Sequence, residues 1–426
     1  MFRFNCYFAV LLMMLTFVNN TSAVDEAKPV AKTTPERTAD GTPEKTPNGK
    51  IETAGTIKFG TGESLPEFNK LFEQTEGWIG GDGAYSVALT KDRTLWLFSD
   101  TWVGQVRDGK RQAATMVNNS AAWQDGQGKD AKVRFFVKMP PNNQTKPATE
   151  NAKPKPIALL IPDEEQSWFW LQAGAIAKER LSLFVSRIEK TKEPGAFGFR
   201  EIGRELATIA NPQDEPTSWR ATRQKIPFAI YEADRQLCFG AAILAEGEYF
   251  YVYGTDETRK KPFPERSSIV ARVAQEKIAD FSSWRFYHGG QWGDDWKQAE
   301  HLAKGLAAEY SVSLLPGTEK SGVKQFALVY TESGLSDKIL LRTATAPQGP
   351  WSDSQVVFQC PEMALDKKVF SYAAKAHPML SSDGELIISY VVNSFDFWQV
   401  FKDAQLYWPR FVRVPIMNGN TPDAKR

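Results

Sequence analysis

Five times along the chain, a run of small and apolar residues leads through a tight turn into a strongly strand-forming run. The pairs are GAYSVAL with TLWLFSD (from Gly83), LQAGAIA with LSLFVSR (from Leu171), FGAAILA with EYFYVYG (from Phe239), EYSVSLL with QFALVYT (from Glu309) and KAHPMLS with ELIISYV (from Lys375). The first runs end near Leu89, Ala177, Ala245, Leu315 and Leu380, at spacings of 88, 68, 70 and 65 residues. Lys91-Asp92, Lys178-Glu179, Glu246-Gly247, Pro316-Gly317 and Asp383-Gly384 supply the turns between them. A third run follows, NNSAAW in the first unit and FGFREI, SSIVARV, ILLRTAT and PRFVRVP in the others; Arg200, Arg272, Arg342 and Arg413 read as exposed positions on an outer strand. Repeats of roughly 70 residues holding three or four strands predict an all-β fold, a five-bladed β-propeller with a central axial pocket. Gly83, Ala84, Gly174, Ala175, Gly240 and Ala241 suit innermost strands that crowd the axis. One short helix is expected from Gln298 to Ala308. The last unit is a strand short, and the segment near Thr56–Phe59 is expected to complete it, removing two sheet edges.

The chain before the repeats has a different pattern. Arg3, an apolar stretch from Tyr7 to Val18 and the small-residue end Thr21-Ser22-Ala23 describe a signal peptide over residues 1–23. The apolar stretch falls short of the ~20 residues that a membrane span needs. Residues 24–55 are rich in Pro, Thr, Lys and Glu and have little to bury, so they read as a disordered spacer. The domain boundaries expected are thus a propeller over 56–415 and a tail over 416–426. The protein is expected to be secreted, or held in the periplasm or cell envelope, with no membrane span after cleavage.

Composition narrows the function. The chain has 52 basic and 51 acidic residues, and the leader takes one Arg, which leaves the two signs equal. That balance gives no electrostatic case for nucleic acid. Thirteen Trp, twelve Tyr and twenty-seven Phe suit both strands and sugar-binding surfaces. Only Cys238 and Cys360 follow the leader, and whether they pair is open; three His make an ordinary zinc site improbable. A monomer that binds carbohydrate is the expectation.

GWIGGDGAYSVALTKDRTLWLFSDTWVG (Gly77–Gly104), AEYSVSLL with LVYTESGLSDKILLRTATAPQGPWS, and YAAKAHPMLSSDGELIISYVVNS from Tyr372 resemble a secreted bacterial propeller family long filed as a domain of unknown function, which includes endo-D-arabinanases. The resemblance runs from about Gly77 to Pro415. Its wider kinship is with five-bladed glycosidases that cleave arabinans and xylans and place carboxylates around the axial pocket. It implies a glycoside hydrolase-like protein; the alternative is a catalytically inactive carbohydrate-binding or surface-interaction propeller.

Glycoside hydrolysis needs two carboxyl groups, one protonated and one ionised. Equivalent positions of the repeat give Asp82, between glycines, and Glu309. Asp82 is alternatively a turn-former, and Glu309 an ion-pair partner of Lys375. Glu309 is the expected acid, raised by its apolar surround, and Asp82 the base or nucleophile, kept ionised by backbone N–H groups. Asp100, Tyr85, Tyr310, Lys375 and His377 are supporting candidates. His377 is either a structural histidine or a group that binds sugar hydroxyls or, as the resemblance implies, helps to hold calcium or water in the channel. Trp102, Trp168, Trp170 and Trp292 are candidate sugar platforms or core residues. The second unit aligns Ala173 with Asp82, where the resemblance implies an acid. Asp256 and Glu257 are further acids at a strand end.

Overall fold

A computed structural model describes residues 57–140, 154–193, 198–259 and 264–417. The expected leader over residues 1–23 and the expected spacer over 24–55 lie outside them. The described chain is mostly β, and its named strands form six antiparallel sheets.

Five sheets reproduce the repeat. The first runs Tyr85–Ala88, Arg93–Phe98, Ser120–Asp125, Lys132–Phe136, and the second Ser167–Ala177, Arg180–Lys190, Phe199–Ile209, Ala221–Lys225. The third is built on Arg235–Glu246, Tyr249–Thr258 and Glu265–Ala274, and is extended by a hairpin of Arg285–His288 with Gln291–Gly293. The fourth runs Tyr310–Leu314, Phe326–Thr331, Lys338–Ala344, Gln355–Gln359, and the fifth Val369–Ala376, Glu385–Ser394, Pro409–Met417. The strand expected from KAHPMLS ends at Ala376, because Pro378 opens a 3-10 turn. The helix expected at Gln298–Ala308 does not form; a 3-10 turn Trp296–Gln298 and a strand Ala303–Lys304 occupy that stretch. The sixth sheet was not foreseen. It pairs Glu76–Gly81 with Thr101–Arg107 and Lys110–Val117, an excursion inside the first unit.

The fifth sheet is completed from the other end of the chain, as the repeat requires. Lys58 and Phe59 pair with Met417 and Ile416, and Glu63 and Ser64 pair with Arg413 and Val412. Apolar clusters fill the wedges between neighbouring sheets. Leu95 and Leu97 pack with Leu171 and Leu183, for example, and Val329 and Leu341 pack with Ile388 and Val414. The fifth sheet packs back on the first through Trp96, Phe98, Ile387 and Phe411, with Phe68 and Phe72 filling the wedge. Residues of all five inner strands line one cavity of about 350 Å³, among them Val87, Gly174, Ile243, Val312 and Ala376. Crowding there is severe: a Cβ on Gly240, whose φ is +104°, would lie 2.5 Å from the Phe184 ring.

Cys238 and Cys360 are both buried and unpaired, so core burial rather than a disulfide holds the sheets. No helix among the described residues is long and apolar enough to cross a membrane.

The closing strands lead to a stability test. A chain that begins at Ile57 keeps both short strands, whereas one that begins at Leu65 loses their ladder and the packing of Phe59. The shorter chain should melt roughly 3 °C or more lower, since each lost kilocalorie costs about 1–2 °C at this size and several are lost. Thermal melts of the two chains measure this, and equal midpoints would remove the closing role.

Candidate functional site

The inner strands carry a recurring irregularity. Ladder pairing skips from Leu171 to Gly174 in the second sheet, from Phe239 to Ala242 in the third and from Tyr372 to Lys375 in the fifth. In the first unit the residues Asp82–Ala84 make the same crank, with Gly83 at φ +80° and Ala84 at φ +48°. Asp82 N donates to Asp100 O (3.2 Å), and Ser99 N donates to Asp82 O (3.0 Å), so the two acids end adjacent segments of backbone. Bulges of this kind redirect side chains and are common beside active sites.

This register corrects the alignment read from sequence. Asp82 stands where the other sheets have Leu171, Phe239 and Tyr372. Glu309, directly before the first ladder residue Tyr310, stands where they have Ala84, Ala173, Ala241 and Ala374. Ala173 is therefore the counterpart of Ala84 and Glu309 rather than of Asp82. The two acids meet although they occupy different positions of the repeat.

Both line a pocket of about 710 Å³ at one end of the inner strands, together with Asp100. The Asp82 Oδ2 accepts from the hydroxyls of Tyr372 (2.8 Å) and Tyr407 (3.0 Å). Its Oδ1 is buried with no hydrogen-bond partner among the described residues. Burial, then the nearby Asp100 and Glu309 charges, push the Asp82 carboxyl well above the ordinary aspartate range against the two tyrosine bonds. The expectation of an Asp82 held ionised by backbone N–H groups does not match this geometry: the Asp82 and Ala84 amides donate to backbone carbonyls, and tyrosine hydroxyls reach the carboxyl.

Glu309 is not in an apolar surround either. Its Oε2 accepts from Lys375 Nζ at 2.7 Å. Lys375 also donates to Gly83 O (2.6 Å) and Ala373 O (3.1 Å), and its Nζ lies 4.2 Å from the centre of the Tyr85 ring. Burial pulls the ammonium down and the Glu309 carboxylate opposes it. With three acceptors around it, the ion pair is the arrangement the geometry favours. Asp100 Oδ1 accepts from Asn118 Nδ2 (3.0 Å) and Trp170 Nε1 (2.9 Å), and burial raises its carboxyl to about 6 against those bonds.

Other candidates separate by location. Trp168 and Trp170 line the pocket half-buried, although the Trp170 ring is fixed by its bond to Asp100. Trp102 lines its wall but is 3% exposed and packs edge-on against Phe401, so it is core more than platform. Trp292 lies outside the pocket, on the outer hairpin of the third sheet, beneath Arg272 and against Tyr287. Tyr85 and Tyr310 line the cavity at the other end of the inner strands; their hydroxyls donate to Gln172 Oε1 (2.8 Å) and Gly254 O (2.6 Å). His377 lines that cavity too. Its ring nitrogens are taken by Ser86 (2.6 Å) and Ser389 (2.7 Å), and burial, then Lys375, lower it to about 3. It is a neutral structural histidine with no nitrogen left for a metal. Among the described residues no group of three or more His, Cys, Asp or Glu is placed to hold a metal ion. Asp256 is tied to Arg235 and His301, and Glu257 to Arg259 and Arg266.

Three pocket residues escaped the sequence reading. Tyr372 occupies the bulge position equivalent to Asp82, a signal available only in the correct register. Tyr407 and Trp398 come from the loop between the second and third strands of the fifth sheet, which no repeat position marks.

The raised Asp100 carboxyl has a consequence for stability. The unfolded chain releases this proton near ~3.9, whereas the native state keeps it to about 6. Between those values the native state binds more protons, so stability falls as pH rises through the window. Asp100→Asn should therefore raise the melting temperature relative to wild type at pH 8, with the gain shrinking below pH 4. Paired melts across this range check it, and a pH-independent difference would contradict the raised carboxyl.

Comparison with known proteins adds the family. A Bacteroides ovatus protein provisionally assigned as a hydrolase has a crystal structure that superposes with a TM-score of 0.64 at 19% identity, covering 88% of this chain and all of that one. A GH43_1 enzyme from Xanthomonas citri gives 0.43 at 14% identity over 86% of this chain and 93% of its own. A xylan β-1,4-xylosidase from Bacillus halodurans gives 0.41 at 9% identity over 81% and 53%. The first likeness shows the fold alone, and the other two are too distant to add to it. No curated protein matches the chain in sequence. A family model matches residues 66–418, nearly the whole described chain, and the protein therefore belongs to the family described as a domain of unknown function, DUF5005.

Proposed function

We propose that the chain is a five-bladed β-propeller glycoside hydrolase acting on an arabinan- or xylan-type polysaccharide in the Asp82–Asp100–Glu309 pocket. One observation carries the reading: the Asp82 carboxyl, buried and bonded to tyrosine hydroxyls, shares a pocket walled by aromatic rings with Glu309, which is ion-paired to a buried ammonium. Two carboxyl groups in unlike surroundings, one suited to hold a proton and one to stay ionised, are the requirement of glycosidic cleavage. Asp82 is the general acid that protonates the departing glycosidic oxygen. Glu309, ion-paired to Lys375, is the carboxylate that activates water or attacks the sugar carbon. Asp100 acts on Asp82 through charge, since its ionisation raises the affinity of Asp82 for the proton. Carboxyl separation decides the stereochemistry, about 5–5.5 Å for retention and about 6.5–9.5 Å for inversion.

Arabinans, xylans and related glycans, assayed with wild type, Asp82→Asn and Glu309→Gln, test the assignment. Either substitution should cost about 10²–10⁴-fold or more in turnover, and Asp100→Asn less. Turnover that survives both would refute it. Glycan binding without turnover in wild type would favour a non-catalytic carbohydrate-binding propeller.

The leader over residues 1–23 supports export of this activity. Amino-terminal sequencing of protein from the host's envelope or medium should begin near Val24, and an intact Met1 in the membrane fraction would sink that reading.

A further inference from the structure

The short helix Phe397–Lys402 overhangs the carboxylate pocket. Its Trp398 is 65% exposed, and Phe397 beside it is 37% exposed. Trp398 is not loosely held. Asp396 caps the helix by accepting from Trp398 N (3.2 Å), and the Trp398 ring rests 5.7 Å from Phe401, which packs edge-on against the core ring of Trp102 at 4.5 Å.

Below this stack lies Arg111, a buried cation that makes no salt bridge among the described residues. Its Nη1 donates to the carbonyls of Val400 (2.5 Å) and Asp403 (3.3 Å), and its Nη2 to those of Leu406 (2.7 Å) and Ile79 (3.0 Å). The guanidinium therefore ties the carbonyls that end the helix to a strand of the first unit. The same loop ends in Tyr407, whose hydroxyl reaches Asp82. Gly80 leaves room for this junction, since a Cβ there would lie 2.5 Å from Tyr407 O and 2.7 Å from Arg111 Nη2.

A large indole held on a rigid support with 65% of its surface in water leaves apolar area hydrated at a cost in free energy. A flat apolar ligand face that covers it recovers that cost. The pocket that Trp398 shares with the carboxylates, at about 710 Å³, is of the size that takes a drug-sized ligand rather than a single sugar ring. We infer that Trp398 is a stacking platform for a second ring of a saccharide chain, so that the ligand is an oligo- or polysaccharide, and that Arg111 is the positioning residue that fixes this platform relative to the carboxylates. The inference rests on the glycan reading of the pocket and adds the length of the ligand.

The test is calorimetric binding of arabino- and xylo-oligosaccharides from one to six units, with Asp82→Asn as the background that prevents turnover. Affinity should rise with length. Trp398→Ala should weaken the trisaccharide and longer chains roughly 3- to 10-fold, leave monosaccharide binding unchanged and leave the melting temperature unchanged; Trp398→Phe should restore most of the loss. Arg111→Lys should weaken long chains alike and speed amide exchange in residues 395–407. Oligosaccharides that bind wild type and Trp398→Ala equally would overturn the platform and leave the pocket reading standing. Wild type that binds no member of either series would overturn both.

Discussion

The arrangement of the pocket depends on one buried ammonium. Lys375 donates to a carbonyl of the first unit, to the Glu309 carboxylate before the fourth sheet and to a carbonyl of its own strand in the fifth. It thereby joins three of the five inner strands at the point where they crowd together. A buried lysine is costly unless each of its donors is satisfied, and breaking such a pair leaves an uncompensated charge. The same ammonium lines the cavity at one end while holding the acid that faces the other end.

Asp82 has the complementary environment. It is close to two other carboxyls, its own Oδ1 is buried and unpaired, and it has only neutral tyrosine hydroxyls to stabilise a charge. Glu309 has the cation and Asp82 does not. Burial raises the Asp82 carboxyl, while the one lysine among these acids is ion-paired to Glu309. That division comes from the ends of separate strands rather than from any local sequence motif.

Arg111 has a role like that of Lys375 in the surrounding loops. Lys375 fixes strands, whereas Arg111 fixes the loop that carries Tyr407 and Trp398. Both cations are spent largely on backbone carbonyls, which orients main chain that has no regular ladder of its own. Irregular backbone near a pocket needs such partners because its polar groups are otherwise unsatisfied. The aromatic wedge of Phe68, Phe72, Trp96 and Phe411 gives the closing junction its apolar share.

The sequence by itself determined the strands. Alternating and β-branched runs, turn residues at each reversal and small residues in every inner strand are local properties, and they marked five units and the strand lent by Lys58–Phe59. It also presented Asp82, Asp100, Glu309 and Lys375 as chemistry-bearing residues. Only the tertiary structure decided what these do. A two-residue bulge shifts the ladder, so Asp82 and Glu309 are not equivalent positions, and Ala173 matches Ala84. Which carboxyl is ion-paired depends on where one ammonium lies, and that ammonium also bonds a carbonyl almost 300 positions away in the chain. Trp292, a plausible platform by composition, lies on an outer hairpin, while Trp398 comes to the rim on an unrepeated loop. Burial and charge neighbours are set by packing between sheets, and no window of the sequence contains both sides of such a contact.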